Sequence, residues 1–92
     1  MDNAQKLQQV SKIARSPHWT QVAEAKEWDT TSTSILRVYA NSDGLFLGFG
    51  RRSLNGRDTH VETVMAADRA VAANSVATAC GFSPEMVAKA LS

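Results

Sequence analysis

Apolar side chains recur near the start of the chain at spacings of three and four, as Ala4, Leu7, Val10, Ile13 and Ala14. Gln5, Lys6, Gln8, Gln9, Lys12 and Arg15 fill the positions between them. That spacing predicts an amphipathic helix with Asp2 as its N-cap. Ser16-Pro17 ends it, because the proline ring disfavours helical geometry at Ser16 and brings no amide to donate.

Over residues 17–28, Trp19, Val22, Ala23 and Lys26 fit a short helix starting at Pro17, the reading preferred here. An edge strand capped by Trp19 and Trp28 is the alternative. Residues 29–34 are rich in Thr and Ser, whose hydroxyls compete for backbone hydrogen bonds, and are expected to form a connection. Residues 35–40 and 45–51 are strand-like and are joined by Asn41-Ser42-Asp43-Gly44, a turn sequence tolerant of positive φ. Ser53-Leu54-Asn55-Gly56 carries a second Asn-Gly turn signal, and residues 60–65 read as a third strand.

Helical spacing returns in residues 66–80, where Ala66, Ala70, Ala73, Ala77 and Cys80 share one face and form a ridge of small side chains. Gly81 suits the C′ position of that helix. Ser83, Pro84 and Glu85 supply an N-cap, an N1 proline and an early acid for a last helix carrying Val87, Ala90 and Leu91. The expected fold is therefore α+β: a three-stranded antiparallel meander packed by an N-terminal amphipathic helix and an Ala-rich C-terminal helix pair.

Ninety-two residues make one domain, 1–92, and 43% apolar with 21% charged residues is a globular composition. A core this small leaves a thin margin of stability, so a dimer is within expectation. The apolar run 45–49 is far too short to span a bilayer, and the first residues lack the basic start and apolar block of a secretory signal. Cys80 is a single cysteine and has no internal disulfide partner. These features point to a reducing cytoplasm, the host's if the gene is phage-borne, and to no membrane association.

Net charge is +1, which argues against a general nucleic-acid binder and against an acidic mimic. Its distribution is uneven. Residues 44–57 hold Arg51, Arg52 and Arg57 and no acid, whereas residues 18–32 hold Glu24, Glu27 and Asp29 against Lys26 alone. Arg51, Arg52, Asn55, Arg57 and His60 around the second turn are the candidate partner-binding residues, able to grip phosphates or carboxylates by charge-assisted hydrogen bonds. Trp19, Trp28 and Tyr39 are core residues or binding aromatics.

No catalytic residue, cofactor or metal is expected, since Cys80, His18 and His60 have no ligand spacing and Cys80 lies among Ala and Val. Gly44, Gly48 and Gly50 lack the Lys-Ser/Thr of a phosphate loop and read instead as sites of a bulge or of close backbone approach.

Ala77, Gly81, Ser83 and Val87 give residues 76–91 a pattern that resembles the helix-turn-helix of bacterial repressors. The last helix offers Glu85, Ala88 and Lys89 where Arg, Asn or Gln would read bases, which favours a plain helical hairpin. The order helix, three strands, helix, with Gly48-Phe49-Gly50, resembles a double-stranded-RNA-binding domain, but Ala66-Ala67-Asp68-Arg69 replaces that family's lysine cluster. In size and layout the chain is similar to small phage-encoded inhibitors of the anti-CRISPR type. That resemblance implies a non-enzymatic protein that docks on a larger protein or protein-RNA complex and blocks its nucleic-acid-binding surface. A helix-turn-helix DNA-binding regulator using residues 76–91 is the second expectation.

Overall fold

A computed structural model describes residues 2–92. Asp2 begins helix α1 (Asn3–Arg15) as expected: its carboxylate accepts the Gln5 backbone N–H at 2.8 Å. The Asp2 N–H in turn donates to Gln5 Oε1 at 2.9 Å. Such reciprocal capping satisfies amides the first turn cannot use, and replacing a cap of this kind costs about 1 kcal/mol. Four strands follow, β1 (Trp19–Trp28), β2 (Ser32–Asn41), β3 (Phe46–Leu54) and β4 (Arg57–Ala66), then α2 (Arg69–Ala77) and α3 (Pro84–Leu91). The strands form one antiparallel sheet in the order β1-β2-β3-β4.

The sheet thus has four strands where three were expected, because residues 19–28 form β1 and not a helix. Helical spacing in this segment was a coincidence of composition. Its pairing breaks register between Gln21 and Ala23, which places a bulge at Val22 and interrupts the period-two alternation a strand would otherwise show. The connection is also shorter than the Thr/Ser composition implied. Asp29 closes a tight turn by accepting the Thr31 and Ser32 N–H groups at 2.8 Å each, and β2 begins at Ser32.

Both later hairpins form as expected. Asn41 Oδ1 accepts the Asp43 and Leu45 N–H groups at 2.9 and 3.0 Å, with Gly44 at φ +80°. Asn55 (φ 52°) and Gly56 (φ 79°) are both left-handed, as a two-residue turn matching strand twist requires.

Successive residues of β2 and β3 point to opposite faces, and each face carries a packed apolar cluster. On one face Tyr39, Leu47, Phe49 and Val61 pack with Val10 of α1. On the other, Leu36 and Val38 join Ala72, Ala73, Val76 and Ala77 of α2, with Cys80, Phe82 and Val87. The result is three layers, with α1 on one side and the α2–α3 pair on the other.

Helix α2 is shorter than the expected span of residues 66–80 and buries a different face. Asp68 caps it through the Val71 N–H at 2.9 Å, Ala66 belongs to β4 opposite Phe46, and Ala70 is exposed. The buried ridge is Ala72, Ala73, Val76 and Ala77. Gly81, at φ +84°, follows the helix, and Ser83 caps α3 through the Met86 N–H with Pro84 at its start.

Candidate functional site

The three arginines of the expected basic tip are not brought together. Alternation along β3 turns Arg51 toward the α1 face, where its register partner is Val61, and Arg52 toward the α2–α3 face, opposite His60. Arg57 lies past the turn, exposed, opposite Leu54. Asn55 stands exposed in the turn; its backbone N–H donates to the Thr31 carbonyl at 2.7 Å and ties the β3–β4 turn to the β1–β2 turn. His60 is exposed on β4, with Nδ1 3.2 Å from Thr59 Oγ1.

Arg51 makes a two-pronged contact with Asp58, Nε to Oδ1 at 2.7 Å and Nη2 to Oδ2 at 3.0 Å, and Ser53 Oγ donates to the same carboxylate at 2.7 Å. Those hydrogen bonds, Arg51's first, hold the Asp58 carboxyl below the usual carboxylate range. One strand pair away the arrangement repeats across β1 and β2. Arg37 Nε donates to Glu24 Oε2 at 2.8 Å, which lowers the Glu24 pKa, and Lys26 Nζ stands 3.8 Å from the other oxygen of the same carboxylate.

Arg37 and Arg51 occupy the same face, because Ile35 pairs with Arg51 and Arg37 with Phe49 in register. Helix α1 runs from the β4 edge, where Lys6 Nζ donates to the Val61 carbonyl at 3.0 Å, toward the start of β1. It covers Tyr39, Leu47, Phe49 and Val61 and leaves the half of that face nearer the β1–β2 and β3–β4 turns only partly covered. Ile35, Arg37, Arg51, Ser53 and Asp58 are only half-buried, and Glu24, Lys26 and Thr33 are exposed. A cleft of about 280 Å³ separates α1 from this half of the sheet, floored by Ile35, Tyr39 and Phe49 and flanked by both arginines. Arg37 was not singled out in the sequence, although its place at the middle of a strand one step from Ile35 was visible.

Arg52 has a different setting. It lies against Gly81, where a Cβ on the glycine would come within 3.2 Å of Nη1, and its Nε is buried without a hydrogen-bond partner. A cation beside the carbonyl end of α2 is favourably placed in the helix field. The aromatics divide as well: Tyr39 is core, Trp19 packs at the edge of the α1 cluster and Trp28 is 72% exposed.

Cys80 is fully buried beneath the sheet, and burial pushes its thiol up to about 11. Among the described residues no group of three or more His, Cys, Asp and Glu is placed to hold a metal ion, and no helix is long and apolar enough to cross a membrane. Gly48 and Gly50 are the points of close approach that the sequence indicated. A Cβ on Gly48 would collide with the Ala72 carbonyl oxygen, and one on Gly50 would come within 2.6 Å of Cys80 Sγ.

The helix pair of residues 76–91 is built into the fold: Val76, Ala77 and Val87 are buried, and α3 leans on β1. The fourth strand departs from the helix, three strands, helix order that underlay the likeness to double-stranded-RNA-binding domains. No protein-family model, no curated protein and no solved structure matches the chain. What fold and site define is a three-layer α+β domain with one sheet face half bare and two arginines fixed on it.

Proposed function

We propose that the protein is a non-enzymatic binding protein, an inhibitor or adaptor that docks on a larger protein or protein-RNA complex in the cytoplasm. Its docking surface is the half of the sheet face that α1 leaves uncovered, together with the adjoining β3–β4 turn bearing Arg57. The observation that carries this reading is the pair Arg37 and Arg51, held by Glu24 and Asp58 on either side of an apolar floor. Guanidinium groups already oriented by carboxylates lose little further freedom on binding, and arginine beside apolar surface is the usual composition of binding hot spots.

The non-enzymatic part rests on the chemistry of the residues present. The one thiol is buried and protonated at neutral pH, and the two histidines are exposed and lie on separate elements. The similarity of layout to small phage-encoded inhibitors favours steric occlusion of a nucleic-acid-binding surface as the mechanism. Arg52, with its Nε turned into the protein and its guanidinium against Gly81, supports the end of α2 and lies outside this surface.

The test is an affinity capture from bacterial extract with and without nuclease, comparing the native chain with Arg37→Glu, Arg51→Glu and, as a control on the outer face of α2, Asn74→Ala. Expected is a defined protein or ribonucleoprotein that survives nuclease, is lost with either arginine variant and is retained by the control. Capture of nucleic acid alone, abolished by nuclease, overturns the reading in favour of a DNA-binding regulator.

A further inference from the structure

The two edges of the sheet are treated differently. At the β4 edge the Lys6 ammonium donates to the Val61 carbonyl and stands 3.8 Å from Glu62, so a cation is fixed against that strand. The β1 edge has no such cover from α1. Its pairing with β2 is regular from Ala23↔Val38 to Trp28↔Thr33, which leaves a straight segment whose outward N–H and C=O groups are free to template a strand.

The side chains of that segment are self-complementary. In an antiparallel pairing centred on Ala25, Glu24 of one copy falls opposite Lys26 of the second, and Lys26 opposite its Glu24. On the same face Trp28, 72% exposed, closes the straight segment with an apolar group. On the other face a groove of about 370 Å³ runs between β1 and α3, with Ala25, Met86 and Ala90 in its wall. Two-fold pairing at Ala25 sets this groove against its own copy, with small side chains at the crossing. About this axis each charge meets one of opposite sign, the favourable cross-strand arrangement.

We infer that the chain forms a two-fold homodimer by antiparallel β1–β1 pairing centred on Ala25, making one eight-stranded sheet. The inference does not need the partner proposed above, although Glu24 serves both, holding Arg37 on the face and meeting Lys26 of the second copy at the edge. The bare half-faces of the two copies become continuous across the axis.

Sedimentation equilibrium of the native chain at micromolar concentration is expected to give twice the 9.9 kDa chain mass. Lys26→Glu and Glu24→Lys each place like charges opposite one another twice per dimer, and each is expected to weaken association by about tenfold or more while the circular dichroism stays native. Mixed in equal amounts, the two variants restore opposite charges at both positions and are expected to regain the dimer. If Glu24→Lys fails to fold for want of the Arg37 partner, Ala25→Cys replaces it, because a residue opposite itself lies within disulfide reach while Glu27→Cys does not. A native chain that remains at 9.9 kDa, a mixture no more associated than its components, or equal cross-linking at both cysteine positions overturns the inference.

Discussion

Gly48 of β3 lies so close under Ala72 of α2 that the space a Cβ would need is already filled by the helix carbonyl. This contact fixes the distance between sheet and helix layers. Ala72 and Ala73 are themselves fully buried, so neither side of the contact can give way cheaply. Gly48→Ala is expected to lower stability by about 1–3 kcal/mol, the usual cost of overpacking, or more if α2 lifts off the sheet. Urea unfolding followed by circular dichroism reads it directly, and an unchanged midpoint would show that α2 is not held as close as described.

One pleat further along β3, Gly50 faces the Cys80 sulfur and the Val76 carbonyl, the latter 3.1 Å from where a Cβ would sit. Gly50→Ala should destabilise for the same reason as Gly48→Ala. Cys80→Ala removes the nearest atom, so the double variant is expected to be at least about 0.5 kcal/mol more stable than the sum of the single effects. Strict additivity would mean that the two residues do not compete for one volume.

Asp58 sets an expectation for acid. Its folded carboxyl, bonded first by Arg51 and then by Ser53, holds its proton less tightly than the unfolded chain does. Between the folded pKa and the unfolded value of about 3.9 the unfolded state therefore carries more protons. The stabilisation is present above that value and is lost as pH falls through the folded pKa. Asp58→Asn should lower stability at pH 7 and flatten the loss seen on acidification, as measured by thermal unfolding across that range. An unaltered acid limb would place the contribution elsewhere, with Glu24 the next carboxylate to change.

Cys80 should be inert in the folded protein. With no exposed surface and a thiol pushed up to about 11, it presents almost no thiolate at neutral pH. Its reaction with a thiol reagent is expected to be roughly a hundredfold slower or more in buffer than in denaturant. Rapid labelling of the native chain would show that the turn after α2 opens readily.

Much of this architecture was legible. The 3.6-residue period of α1, the caps at Asp2 and Ser83, and the Asn-Gly turn at Asn55 are local signals, and each formed as read. Strand β1 forms as the edge strand that was the second reading of residues 17–28, and it came second because its evidence is not local. Its core-facing positions are the small residues Ala23 and Ala25, its other face is exposed beyond Trp19, and a bulge at Val22 breaks the alternation. Only pairing with β2 makes it a strand. The start of α2 was misplaced for a related reason: Ala66 fits a helical ridge and also fits a β4 position opposite Phe46, and the cap at Asp68 decides between them.

The candidate site divides along the same line. That Arg51 and Arg52 point to opposite faces of a strand follows from the period of two, which belongs to the backbone and was there in the sequence. Which of those faces would lie half bare and which would lie under α2 depends on where the helices pack, and packing is settled by contacts between residues far apart in the chain. Gly48 and Gly50 draw α2 onto the Arg52 side, Val10 and its neighbours hold α1 across only part of the Arg51 side, and so Arg51 is left beside Arg37 at the surface while Arg52 is turned into the protein.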